Sequence, residues 1–440
     1  MNIRRAMVLA SLFAIAGGFA GPAFAGHGGY ARIHTFCSLT NCQDGAMPDS
    51  PLLADAGGNL FGTAYSGGTG NCGTETCGTI FEMTPRRTGG YRFSVLHDFC
   101  SEFNCGDGVL PLAGVIMDVN GNLYGTATNG GLNGGGTAFE LVRHKNGTNR
   151  FKLLYPFCVR RPNCDDGAAP EFDGLSYQGA AVGALYDGTS PLYGTAQSGG
   201  AGGVVYALNP PTADSKKWSE SVLYSFCSQS NCTDGVLPQH GLFVDAAGNL
   251  YGTTSSGGAY GQGVIFELSQ SGGSWSETVL YSFCPGGGSC TDGTYPSSPL
   301  MMDSSGNLYG TTANGGNGGN GILFRLVPNG TNSTYAVLYT FCSVAGCADG
   351  AVPSGKLLLD GSGDILGSTI IGGTDGSGVI YDFDGSALHV LHMFCRRSDC
   401  ADGGNPVGGL AAGADGNLYG TTSSGGDAQQ QAGVVFRLTR

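Results

Sequence analysis

Four titratable side chains stand out in a chain with few of them: Glu171, Asp173, His240 and Lys356. Two carboxyls, an imidazole and an amine in one place could move protons for a lyase or a glycan hydrolase. His240 and Lys356 belong to a set of positions just before a short apolar string. The equivalent residues there are Ser50 and Pro51, Ala113 and Gly114, Ser298 and Pro299, and Gly408 and Gly409. Glu171 and Asp173 precede a segment, Gly174–Gly183, with no counterpart in the other repeats, and such an insertion suits ligand contact or channel plugging. Other catalytic patterns fail. No G-x-S-x-G string occurs, and Gly316-x-Gly318-x-x-Gly321 sits in a Gly-rich hairpin loop with no helix to follow. His389 and His392 have odd spacing on one strand and point to opposite faces.

The second chemistry is sulfur. The string Phe-Cys, then Cys-x-Asp-Gly, recurs seven times, with first cysteines Cys37, Cys100, Cys158, Cys227, Cys284, Cys342 and Cys395. Their partners are Cys42, Cys105, Cys164, Cys232, Cys290, Cys347 and Cys400, and the two remaining cysteines, Cys72 and Cys77, share one Gly-rich loop. Even counts in local pairs behind an export signal read as disulfides. Zinc favours closer spacing or nearby histidine, and c-type haem needs C-x-x-C-H, so no metal ligands are assigned among them.

The elements that position these groups follow from the period of about 60 residues. In the unit from Pro238 to Phe283, short apolar strings at 241–245, 249–254, 264–268 and 275–283 alternate with Gly-rich turns. Four antiparallel strands at this spacing form one blade of a β-propeller. The expected fold is therefore all-β: a seven-bladed propeller of four-stranded blades. The last unit stops at its third strand, Val434 to Leu438, while Tyr30–Phe36 is an orphan fourth strand, so their pairing closes the ring. Up-and-down order puts the Cys loops and Gly-Gly loops on one face and the Asp-x-x-Gly turns on the other.

Those turns carry Asp55, Asp118, Asp187, Asp245, Asp303 and Asp360, with Gly413 in the seventh unit. Asp there can accept from amides ahead of it. Calcium is the alternative, but the full EF-hand spacing of ligands is missing. The tyrosines of Leu-Tyr-Gly-Thr give way to Phe61 and Leu366 in two units, which indicates packing between blades rather than sugar stacking.

Residues 1–25 have a basic start (Arg4, Arg5), an apolar stretch and an Ala23-Phe24-Ala25 cleavage site, which predicts an export signal followed by one domain over 26–440. Nothing near Arg440 resembles a hydrophobic tail, so a secreted or periplasmic, non-inserted protein is expected. Removing Arg4 and Arg5 moves the formal charge from −13 to −15. That field disfavours nucleic acid and anionic membranes.

The string Gly-Asn-Leu-Tyr-Gly-Thr-Thr-Ser-Ser-Gly-Gly at 248–258 and 416–426 resembles the GloVer tandem repeat of bacterial exported proteins described by a "choice of anchor". The resemblance implies export and a repeat architecture and supplies no site. The paired-Cys loop is an elaboration of the basic repeat. The leading functional expectation is a non-enzymatic binding or scaffold propeller that takes a protein or glycan on its Cys-loop face, without a cofactor. An extracellular glycan lyase or hydrolase using Glu171, Asp173, His240 and Lys356 at the channel mouth is the second. A calcium-stabilised surface structural protein is the third.

Overall fold

The computed structural model describes residues 29–70, 72, 77–144, 146–170, 173–180, 183–426 and 430–439. The expected export signal and Glu171 lie outside the described residues. Short β-prone strings separated by turns cannot bury both faces alone, so they pair into small sheets that stack on one another. Seven antiparallel sheets result. The first blade consists of Leu53–Ala54, Leu60–Ala64, Thr79–Pro85 and Tyr91–Asp98 in that order. The fifth has its inner strand in two segments, Thr294–Pro296 and Met301–Met302, both on Leu308–Asn314.

The seventh blade closes the ring as expected. Leu410–Ala412, Leu418–Thr422 and Val434–Leu438 are joined by Tyr30–Thr35, which runs antiparallel to Val434–Leu438 from Tyr30 opposite Leu438 to Thr35 opposite Val434. Arg32 Nη1 fastens the strand further, donating to the carbonyls of Ala401 (2.9 Å) and Gly426 (2.6 Å).

The core lies between blades. Each Phe of the Phe-Cys string is fully buried and meets an aromatic ring on the third strand of the next blade. Phe36 reaches Phe81 at 5.2 Å, Phe226 reaches Phe266 at 5.0 Å and Phe394 reaches Phe436 at 5.3 Å between centroids, all at steep interplanar angles. Such pairs contribute about 0.5–1.5 kcal/mol each beyond area burial. The glycine of Leu-Tyr-Gly-Thr makes room for them: a Cβ on Gly252 would fall 2.6 Å from Phe266 Cζ. Four second strands are accordingly buried throughout, Leu60–Ala64 and Leu250–Thr254 among them, and the longer ones emerge only in part, as Leu308–Asn314 does at Tyr309 and its last two residues.

One feature recurs in every outer strand. A register shift places a bulge just before a Tyr or His, as between Ile80/Phe81, where His97 faces Ile80 and Val95 faces Phe81. Bulges re-aim side chains, and this one turns the ring toward the Cys loop. Among the described residues no helix is long and apolar enough to cross a membrane.

Candidate functional site

The inner strands line the axis. His240 lies between the bridge Val236–Ser256 and the pair Phe243–Tyr251, about halfway along its strand. Lys356 occupies the irregular stretch between Ser354 opposite Ser368 and Leu358 opposite Leu366. Both therefore stand on the innermost strand of their blades. Asp173 holds the corresponding place in the third blade: a Cβ on Gly241 would fall 2.9 Å from Asp173 Cβ. Adjacent inner strands approach just as closely elsewhere, Gly114 lying against the Pro51 carbonyl oxygen at 2.9 Å by the same measure. Glycine is required at these contacts because any side chain would force the blades apart.

Three of the four expected site residues meet here. Asp173 Oδ2 lies 2.9 Å from His240 Nδ1 and accepts from the Gly241 N–H at 3.2 Å. Lys356, three blades further round the ring, is within electrostatic reach of Asp173. By surface area its side chain is exposed, although neighbouring protein crowds the ammonium into a partial enclosure. That enclosure pulls the ammonium pKa below its usual value, with Asp173 opposing the shift. The other blades contribute Ser50, Ala113, Ser298 and Gly408 at this level. Ser50 and Ser298 turn toward their own second strands, where their Oγ atoms accept from Thr63 N–H and Thr311 N–H.

The insertion in the third unit packs across blades instead of into the axis, as far as its described residues go. Val119 N–H donates to the Tyr186 carbonyl, Tyr186 stacks edge-on against Tyr124, and Gln178 Nε2 reaches the Ala246 carbonyl.

The Cys loops form a second, peripheral set of sites. The disulfides are Cys37–Cys42, Cys72–Cys77, Cys100–Cys105, Cys158–Cys164, Cys227–Cys232, Cys284–Cys290, Cys342–Cys347 and Cys395–Cys400. Both cysteines of each repeat loop have left-handed φ, as at Cys342 (59°) and Cys347 (53°). Such backbone needs support. The Asp of Cys-x-Asp-Gly gives it: Asp349 accepts from Ser343 N–H, Ser343 Oγ, Val344 N–H and Tyr339 Oη. Sequence reading assigned this Asp no role, although its fixed place after each loop was a signal.

The partner of that Asp alternates. Tyr155, Tyr224, Tyr281 and Tyr339 donate to Asp166, Asp234, Asp292 and Asp349 at 3.0, 2.9, 2.7 and 2.7 Å. In three consecutive blades a histidine replaces the tyrosine: His392 by Asp402, His34 by Asp44 and His97 by Asp107, at 3.5, 3.5 and 3.1 Å. Burial opposes ionisation of Asp44 and Asp107, but the adjacent imidazole and the hydrogen bonds each carboxylate accepts outweigh it and lower both pKa values; His97 is in hydrogen-bond contact with Asp107, whereas His34 meets Asp44 by distance alone. Each ring is covered by a residue of the next blade, His34 by Phe93 at 3.9 Å and His392 by Tyr30 at 4.1 Å. His389, by contrast, is exposed and reaches Asp384 at 3.0 Å.

The Asp-x-x-Gly turns use their carboxylates internally. Asp55 Oδ1 accepts from Gly57 N–H and Asn59 N–H, and its Oδ2 accepts from Asn59 Nδ2. In the seventh blade, where Gly413 replaces the Asp, Asp415 takes over and also accepts from Tyr419 Oη at 2.8 Å. Four tyrosines of Leu-Tyr-Gly-Thr, Tyr124, Tyr251, Tyr309 and Tyr419, thus pack between blades while tying down a turn, as Tyr309 Oη does to Asp303 at 3.0 Å.

A family profile described as the Gloeobacter/Verrucomicrobia repeat matches residues 23–191 and 172–360. No curated protein sequence matches the chain. Among solved structures, a proposed oxidoreductase (glucose dehydrogenase) from Thermus thermophilus is similar at 16% identity, covering 77% of this chain and 98% of its own. Its TM-score is 0.41, too loose an overlay to carry residues or chemistry across.

Proposed function

The chain belongs to the Gloeobacter/Verrucomicrobia repeat family, and from that premise and the axial site we propose that it is an exported binding propeller. Its ligand is a glycan or protein segment that presents an anionic group to Lys356. The observation that carries this reading is the meeting of Asp173, His240 and Lys356 at the axis. A cation held in a partial enclosure near Asp173, in a chain of net charge −13, is a selective pole for a carboxylate. Asp173 Oδ2 already takes the Gly241 N–H and contacts His240, so it fixes the geometry rather than waiting for a proton. Eight disulfides suit an oxidising compartment.

The enzymatic reading draws on the same convergence, because an Asp–His pair facing a Lys is also an acid–base set. One experiment separates the two. The chain from residue 26 onward is screened against acidic and neutral oligosaccharides and in pull-downs, with products followed by mass spectrometry. Binding of an acidic ligand that Lys356→Met weakens at least about tenfold supports the binding reading. Cleaved product that vanishes in Lys356→Met and Asp173→Asn supports the enzyme. Wild-type binding by Lys356→Met would exclude the axis as the site.

A further inference from the structure

Cys72–Cys77 is the one disulfide without a counterpart in the other repeats, and it stands beside Cys100–Cys105. The Sγ atoms of Cys72, Cys100 and Cys105 all lie within 4.8 Å of one another. Among the described residues no other three sulfurs gather in this way. Cys72 and Cys105 are half-buried and line a cleft of about 590 Å³ together with Asn104, Val109, Leu110 and Leu132. Cys77 and Cys100 are both 3% exposed. One cysteine of each disulfide thus lines the cleft, and its bonded partner is almost wholly buried.

We propose that these two disulfides form a single thiol–disulfide exchange site, reached through the cleft by a dithiol. One thiolate of the dithiol attacks Cys105 Sγ, the exposed end of its bond. The Cys100–Cys105 bond breaks, a mixed disulfide forms on Cys105, and the electron pair leaves on Cys100 as a thiolate. Cys100 then attacks the neighbouring Cys72 Sγ, forming Cys72–Cys100 and releasing Cys77, which takes the proton lost by the first thiol. The second thiol of the dithiol attacks the mixed disulfide, leaves as a cyclic or paired disulfide and returns Cys105 as a thiol. In total the dithiol loses two electrons and two protons. The protein goes from two disulfides to one disulfide and two thiols. Proximity makes the internal step effectively unimolecular, so it outruns attack on the other loops, where no third sulfur stands within reach.

The test is partial reduction of the whole chain with one equivalent of dithiothreitol, then acid quenching, alkylation and peptide mapping. The expected main product has a Cys72–Cys100 crosslink with alkyl groups on Cys77 and Cys105. The double variant Cys72→Ser/Cys77→Ser leaves all seven repeat loops intact and must lose that product, giving alkylation of Cys100 and Cys105 instead. A peptide with two cysteines run in parallel identifies the source of the dithiol by which reagent reacts faster. Opening of the repeat disulfides in equal proportion, or alkylation of both Cys100 and Cys105 with Cys72–Cys77 intact in the wild type, would overturn the proposal.

Discussion

Arg160 Nη2 lies 2.9 Å from Glu220 Oε2 where the second blade meets the third. The contact is an ion pair by distance, and neither Glu220 oxygen has an aligned hydrogen bond. One interface further on, Glu277 takes Glu220's place, and Gln229 stands where Arg160 stood. Both loop residues donate their backbone N–H to the loop Asp, Arg160 to Asp166 and Gln229 to Asp234. Burial pushes both glutamates up to about 7, with Arg160 resisting at Glu220 only.

A raised carboxyl pKa means the folded protein binds the proton more tightly than the unfolded chain. Its contribution is present below the unfolded value of 4.5 and is lost as pH rises toward 7. Glu277→Gln therefore gains stability over the wild type progressively across that window, by about 1 kcal/mol at its upper end after allowing for solvent screening. Arg160→Ala steepens the wild-type loss. Denaturant midpoints at several pH values check both, and parallel curves for Glu277→Gln and wild type would refute the assignment.

His392 acts with the opposite sign. Burial pushes its imidazole down to about 4, with Asp402 opposing and Arg397 and Arg396 reinforcing the shift. The unfolded chain binds the proton first, so stability is lost as pH falls from about 6.5 to about 4. His392→Tyr copies the four blades that already use tyrosine and keeps the stack on Tyr30. The difference between variant and wild type should reach about 2–3 kcal/mol at the acid end and vanish above neutrality, as thermal melts at matched pH would measure.

Asp349→Ala removes four hydrogen bonds from one Cys loop at once. Leaving those donors unpaired costs about 3 kcal/mol. Amide exchange at Ser343 and Val344 should rise sharply in this variant. Exchange at the corresponding amides of the third blade's loop, Ser228 and Gln229, should stay as it was, because each loop carries its own Asp.

At the axis, Asp173→Asn takes away the charge that opposes the lowered pKa of Lys356. The ammonium then gives up its proton at still lower pH. Lys356 should react faster with an amine-directed reagent near neutral pH than in the wild type, and peptide mapping locates the label. Unchanged labelling would mean the two groups do not sense each other.

The repeat made most of the architecture legible. Seven Phe-Cys strings predict seven interfaces, and the unpaired string Tyr30–Phe36 predicts the closing strand, because both follow from local pattern and turn chemistry. The axial site was legible only in part. His240 and Lys356 stood out as titratable groups among small residues, but Asp173 sat before an insertion that hid its register with His240. Nothing local predicts that residues from the third, fourth and sixth blades face one another, since the ring itself brings them together. The Tyr/His partner of each loop Asp was visible as a fixed spacing, while the bulge that aims it was not. Glu277 carried no sequence signal, because its burial depends wholly on the neighbouring blade.

The strand Tyr30–Thr35 has a consequence for the order of assembly. Six blades pair residues within one repeat, whereas Thr439 Oγ1 meets the Gly29 carbonyl across 410 residues of chain. Contacts of such separation are slow to form, because the entropy of closing the long loop is lost before any pairing repays it. Among the described strands Tyr30–Thr35 is the first to be synthesised and the last to find its partner. Until it does, Val434–Leu438 presents a bare edge able to accept the same strand from another copy. The clasp that completes the ring is thus also the point at which two rings could exchange arms.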